Sequence, residues 1–430
     1  MTMLLAVWAA FCLGLAAVLH RRPAVLAILA LTFWMFVPGV AGHLFTGRSE
    51  GSLSYQPATW LVLFACVVQM FRHPSTFFAE LARRYVTYLA LLFAILAAVV
   101  ITRLGSQPAG SVLAVDQMLV PVLMFWLVGA GIAARPSELI LLRNWIIGLA
   151  AVQAVLAILQ YFAGSVIFYR SQFLTEYWFN PATWDRWMGT TDHPLVLSLV
   201  LCGAVPLIAG LRRSVVQISL LSLLAVATLI TQSRTAAVLV PVGLIYVMIR
   251  SRAGASAKIV VGLSIALGSY LLVTSPIFAG LQSRLLDDTG SAAARTAAWT
   301  FFTDNWTQFL YFGDGITTSY RAARIGGLGT SLESAYLMYA VGVGIVVTTI
   351  YFGTQLVLVF RSLFARCVRG AFLAGVMMLI IPETFSSLGV ETVSGPLLWM
   401  IMALVANPVA DTLRPGPQHQ VAAESAMVSS

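Results

Sequence analysis

Three arginines and one glutamate stand where chemistry at a membrane surface would need them. Arg186 lies in DRWMGTTDHPLVLS, Arg234 in LITQSRTAAVL, Arg295 in ARTAAWTFFTDNW and Glu333 in GTSLESAYLMYAVGVGI. A guanidinium fork matches phosphate oxygens two at a time and stays charged at every working pH. A diphosphate held at the face of a bilayer would need a cluster of such forks. Glu333 falls where a long polar stretch returns to an apolar run. There it is placed to act as a general base, taking a proton from a sugar hydroxyl as that hydroxyl attacks.

Each of these residues also has a plainer reading. A single arginine at a helix end contacts lipid headgroups or the last carbonyls. That reading is weakest for Arg234, because the turn between its flanking apolar runs leaves little room to snorkel. Thr330 and Glu333 have the T-x-x-E spacing of a capping box. Asp192-His193-Pro194 adds a histidine that titrates near neutrality when unperturbed, yet Asp-x-Pro is also ordinary helix-start chemistry. Arg321 and Arg324, in the glycine-rich stretch after the loop aromatics, and Trp299 and Trp306 are accessory candidates. Asp287, Asp288, Asp304 and Asp314 lack spacing that would hold Mg²⁺, so no metal is expected. Asp116 is an intramembrane carboxylate and ranks low. Cys12, Cys66, Cys202 and Cys367 are far apart and read as small hydrophobes.

The elements that must position these groups are apolar. Of 430 residues, 60% are hydrophobic and 10% charged, with a mean hydropathy of +0.90, more apolar surface than a water-soluble domain can hide. The runs have the length of spanning helices rather than of short alternating strands. The expectation is an all-α polytopic membrane protein. Apolar runs fall near residues 3–19, 24–41, 57–71, 85–101, 112–133, 139–163, 192–211, 214–231, 236–249, 259–275, 334–360, 371–384 and 396–409. With the break between Pro382 and Pro396 left open, that makes 12 or 13 helices.

Net charge is +9, carried by 25 basic residues of which Lys258 is the one lysine. In a soluble protein this would suggest nucleic acid; here it is first a topology signal, and no nucleic-acid partner is expected. With Arg21 and Arg22 in the cytoplasm, alternation places 16 of the 25 basic residues inside, down to Arg361, Arg366, Arg369 and Arg414. Seven of the nine left outside lie in a loop at 164–191, the junction at 232–235 and a long loop at 276–333. Arg234 is thus extracytoplasmic, where orientation gives no reason for it. The domain order is N-terminal spans 1–163, loop 164–191, spans 192–275, loop 276–333, spans 334–409 and a disordered cytoplasmic tail 410–430. In the long loop, a helix capped by Ser291 would set Arg295, Trp299, Phe302 and Trp306 on one face. Such a helix would lie on the outer leaflet or act as a lid whose aromatics stack on sugars.

Taken in order, RWMGTTDHPLVLSLVL, TLITQSRTAAVLV, ARTAAWTFFTDNW, FGDGI and SLESAYLMYAVGVGI resemble the core of the O-antigen ligase and O-antigen polymerase superfamily, over about residues 184–355. The resemblance implies a glycosyltransferase of the helical GT-C architecture in the bacterial inner membrane, its site facing the periplasm or cell exterior. Its donor would be an undecaprenyl-diphosphate-linked glycan and its acceptor a second glycan, without cofactor; a chain-length regulator is a further implied partner. The family's diphosphate-handling arginines would fall on Arg186, Arg234 and Arg295. Where ligases carry histidine followed by asparagine, this chain has Glu333 and Ser334. That departure points away from lipid A-core ligation and toward a polymerase, with ligation to another acceptor as the alternative. A secondary transporter would show internal repeats, broken helices and midplane charges. No repeat is evident, and the charges gather on one face.

Overall fold

In a computed structural model the described residues are 3–48, 51, 53–105, 108–176, 178–250, 262, 289–328, 331–386 and 388–408. They form helices and turns, with no strand among them. Proline at the first position opens the helices Pro23–Phe36, Pro57–Arg72, Pro74–Arg83 and Pro194–Ala204, where its missing N–H costs no hydrogen bond. Gly164, at φ 61, closes the long helix Glu138–Ala163.

Among the described residues three helices are long and apolar enough to cross a membrane: Tyr85–Leu104, Ala109–Ala134 and Glu138–Ala163. Two bent pairs, Pro23–Phe36 with Gly39–Thr46 at 88° and Pro57–Arg72 with Pro74–Arg83 at 107°, raise the number to five if each is one span. Six shorter apolar helices accompany them. Side chains facing outward are apolar too, among them Leu89, Phe93, Val238 and Ile249. An apolar exterior on an apolar interior is the mark of a helical membrane protein.

The centre of the bundle is Ala109–Ala134, 78% of whose apolar window is buried against 39% for Tyr85–Leu104 and 44% for Glu138–Ala163. It packs on Pro23–Phe36 and on Ser394–Ala406. Ser394–Ala406 is itself apolar all round and almost wholly buried, as a core helix must be. A π turn at Val115–Leu119 interrupts the central helix at Asp116. Asp116 accepts from Gln56 N (3.0 Å) and Thr59 Oγ1 (2.5 Å), so it serves the exposed amide end of Pro57–Arg72.

Several boundaries differ from the sequence reading. The run 334–360 is two helices, Ala335–Val343 and Ile345–Arg361, broken at Gly344 with φ 96. The run 24–41 ends as a helix at Phe36 and turns sharply. The open break near Pro382 separates two helices, Ala371–Ile380 with its 3-10 end and Ser394–Ala406. Pro74–Arg83, read as a loop, is a helix whose buried Glu80 pairs with Arg83 and Arg84. The loop helix is Thr289–Asn305, so Ser291 sits inside it rather than at its cap. Apart from residue 262, the predicted span 259–275 lies outside the described residues, as do Lys258 and the tail 410–430.

Arginines tie several helix ends together at one end of the bundle. Arg135 donates to Arg21 O (3.0 Å), Arg143 to Gly210 O (3.1 Å) and Arg84 to Ala406 O (2.9 Å). The other ends converge around Gly39, Asp192 and Glu391.

A Cβ on Gly344 would stand 2.5 Å from Tyr311 O, in a backbone region that L-residues avoid. Gly344→Ala is expected to destabilise the protein by about 2 kcal/mol. Gly14, with nothing within 4 Å of its would-be Cβ, should tolerate alanine or gain from it. Thermal unfolding of both variants in detergent checks the contrast.

Candidate functional site

Two glutamines on one helix hold the motif that leads into the site. Gln160 accepts from Gly189 N (2.9 Å) and Met188 N (3.3 Å) and donates to Gly189 O (2.6 Å). Two turns earlier on the same face of Glu138–Ala163, Gln153 accepts from Thr190 N (2.9 Å) and donates to Thr190 Oγ1 (2.6 Å) and Met35 O (3.0 Å). Both are fully buried, so these bonds satisfy groups that have no water to turn to. Gly189, at φ 62, is required here, since a Cβ would stand 2.4 Å from Gln153 Oε1.

The clamp delivers Asp192 and His193 to the bundle's end. Asp192 accepts from Gly39 N at 2.5 Å. His193 Nδ1 accepts from Leu195 N (3.2 Å) and caps Pro194–Ala204, so the cap belongs to the histidine and not to Asp192. Because Nδ1 is the acceptor, the ring proton sits on Nε2 and a second proton would cost the cap. Trp178 meets the His193 ring edge to face at 4.9 Å.

These groups line a cavity of about 930 Å³ together with Glu176, Tyr320, Arg324, Ser331, Glu333 and Glu391. Glu333, His193 and Arg324 are thus brought to one space. Trp178 Nε1 fixes the Glu176 carboxylate at 3.1 Å. The stretch carrying Glu391 is tethered from two sides: Gln117 Nε2 donates to Thr392 O (2.8 Å), and Tyr339 OH to Leu388 O (3.0 Å). Half-buried Glu391 meets Asp116 and Asp192, and loss of water around it followed by those two neighbours pushes its carboxyl well above the usual range.

Glu333 is not the acid of a capping box. It precedes the cap of Ala335–Val343, which is Ser334: Ser334 Oγ accepts from Leu337 N at 3.3 Å. The carboxylate at that helix start is Glu383, taking Ser334 Oγ (2.5 Å) and Tyr336 N (3.2 Å) from another element. Thr330 lies outside the described residues. Glu333 itself is half-buried with φ 54, one of three non-glycine residues at positive φ among the described residues. Burial raises its carboxyl above the ordinary 4.5, and Arg295 beside it pulls in the opposite direction.

The arginines form two groups. Arg186 Nε donates to Thr231 O at 3.0 Å, and Gln232, another positive-φ residue, donates to Asp185 O at 3.1 Å. The chain turns within these residues, and Arg234 opens the helix Arg234–Arg250. Arg186 and Arg234 therefore share one junction. Arg295 donates to Thr384 O at 3.3 Å, on the 3-10 turn Ile381–Thr384, which packs against Arg234–Arg250. None of these three arginines lines the cavity; Arg324 does.

Arg321 is exposed on Ser319–Ile325 and stands apart from the cavity lining. The proposed aromatic face is corrected: Phe302 is buried, Trp299 is exposed, and Trp306 lies beyond the helix in a 3-10 turn. Neither tryptophan reaches the cavity. Trp178, which does, was missed, as were Glu176, Glu383 and Glu391. Glu383 and Glu391 fall in the open break between the last two runs, and no local spacing marks them. Among the described residues no group of three His, Cys, Asp or Glu side chains is arranged to hold a metal ion.

The raised Glu391 pKa has a signed consequence. A carboxyl that holds its proton more tightly when folded contributes stability fully present below the unfolded value of 4.5. That stability is lost as pH rises through the folded value. The unfolding temperature in detergent is expected to fall on going from mildly acidic to alkaline buffer, and Glu391→Gln should flatten the dependence.

No protein-family model matches the chain, and no curated protein matches it.

Proposed function

We propose that the protein is a membrane glycosyltransferase that polymerises undecaprenyl-diphosphate-linked oligosaccharide repeats into O-antigen or exopolysaccharide. It would work at the outer face of the bacterial inner membrane, in a bundle of the GT-C kind. The observation that carries this reading is Glu333: a carboxylate held in a strained backbone conformation on a cavity of about 930 Å³, with Arg295 at its side. Strain of this kind, about 1 to 3 kcal/mol, persists where the surrounding structure imposes it, and it clusters at functional sites.

In the proposed reaction Glu333 takes the proton of an acceptor glycan's terminal hydroxyl. The freed oxygen attacks the donor's anomeric carbon, and the carbon–oxygen bond to the diphosphate breaks on the opposite side, with inversion. Undecaprenyl diphosphate leaves, its charge met by Arg186, Arg234 and Arg295. Trp178 and Tyr320 offer ring faces to the glycan, and Glu176 an acceptor for its hydroxyls. Burial raises the Glu333 carboxyl above 4.5, which makes its carboxylate a stronger base toward the hydroxyl proton.

Ligation of the glycan to another acceptor uses the same chemistry and is the alternative. A transporter gains some support from the broken helices, the buried Asp116 carboxyl and Glu391 on the cavity wall.

Membranes from a deletion strain expressing each variant, read as glycan length on a gel, separate these readings. Glu333→Gln is expected to lower polymer formation about 100-fold or more at normal protein level. Arg234→Lys, which keeps the charge and loses the fork, should lower it about tenfold or more. Single lipid-linked repeats in both variants support polymerisation. Full-length polymer that stays on its lipid carrier in the deletion strain assigns ligation. Glycan unchanged throughout removes the transferase reading and leaves transport. The acid limb of the wild-type pH profile should lie above that of an ordinary carboxylate near 4.5.

A further inference from the structure

A second cavity, of about 500 Å³, opens where the start of Tyr85–Leu104 meets the ends of Ile345–Arg361 and Ser394–Ala406. Ser394–Ala406 begins beside the large cavity, so its 13 residues put the two cavities about 20 Å apart along the bundle. Arg83, Arg84 and Arg361 line the second one.

Their charges are unequally matched. Arg83 reaches Glu80 Oε2 at 2.5 Å and Asn407 Oδ1 at 3.0 Å. Arg84 reaches Glu80 Oε1 at 3.3 Å, Asn407 Oδ1 at 2.7 Å and Ala406 O at 2.9 Å. One carboxylate therefore serves two guanidinium groups. The Arg361 side chain is exposed and has no hydrogen bond or ion pair to the described protein. Three positive charges against one negative leave a surplus of two at the cavity.

The surface leading away from it is apolar. Val86, Leu89, Phe93, Leu96 and Val100 are exposed at spacings of three and four, one continuous stripe along Tyr85–Leu104. Phe360, Leu363 and Phe364 are exposed beside the arginine end. A surplus of cation at the head of an apolar stripe fits a molecule with an anionic head and hydrocarbon tails.

We infer that this cavity binds an anionic glycerophospholipid, its phosphodiester held by Arg361 and the outward edge of Arg83, its acyl chains lying along the Val86–Val100 stripe. Basic pockets between membrane helices recognise headgroups in this way. The buried Glu80–Arg84 pair sets the arginines in place and is not itself the binding group. The inference is independent of the glycosyltransferase reading.

The test uses the full chain purified in neutral detergent, with phosphatidylglycerol, phosphatidylcholine or inorganic phosphate added, read by thermal unfolding and by native mass spectrometry. Phosphatidylglycerol is expected to raise the unfolding temperature and to stay bound, while the other two do neither. Arg361→Gln, which breaks no hydrogen bond or ion pair among the described residues, should lower retained phosphatidylglycerol about tenfold, and adding Arg83→Gln should lower it further. Equal retention of phosphatidylcholine, an equal shift with inorganic phosphate, or full retention by Arg361→Gln would each overturn the assignment.

Discussion

The buried clamp of Gln153 and Gln160 on Met188, Gly189 and Thr190 is the contact on which the cavity end of the bundle depends. In hydrocarbon an unmet amide costs several kcal/mol, so an irregular segment can enter the bundle only if side chains replace the bonds a helix would make. Seven residues apart on one helix, the two glutamines present two amide ends to one stretch of chain. Everything after Gly189 is placed by that stretch: Asp192 on Gly39, His193 as a helix cap, and the wall they share with Glu391.

The same rule explains the other breaks. Gln117 and Tyr339 tie the connection before Ser394–Ala406, and Glu383 supplies the start of Ala335–Val343 with a carboxylate that its own sequence lacks. Each tether crosses between elements far apart in the chain. Each contributes about 1 kcal/mol in itself, while removing one partner costs more, because the other is left without water. Glu333 is released from capping duty by this arrangement, and its side chain is free to face the cavity.

The two ends of the bundle treat charge in opposite ways. At one, the Asp192 and Glu391 carboxyls crowd around Gly39, and like charges in contact raise the Glu391 carboxyl. At the other, Glu80 is buried beneath two arginines, in the space left by Gly129, where a Cβ would stand 2.4 Å from Glu80 Oε1. A buried ion pair of this kind is a poor source of stability and a good means of fixing geometry. It aims the neighbouring arginines at the bundle's rim.

The sequence by itself determined the solvent, the helical class and most helix positions, because continuous apolar runs and helix-opening prolines are local signals. It also singled out Glu333, His193 and Arg324, which the fold gathers on one cavity, whereas the junction that Arg186 and Arg234 share came only from the fold. Tertiary structure alone decided the rest. The break at Gly344 comes from the approach of the Tyr311 carbonyl, and no neighbour in sequence announces it. Glu333 and Thr330 match a capping box letter for letter, yet a carboxylate 50 residues away from Glu333, Glu383, takes that role. Trp178, Glu176 and Glu391 belong to the cavity through folding that joins three separate connections. A spacing pattern reports what a residue does within its own turn of helix; a cavity is made by residues that meet only when the bundle closes.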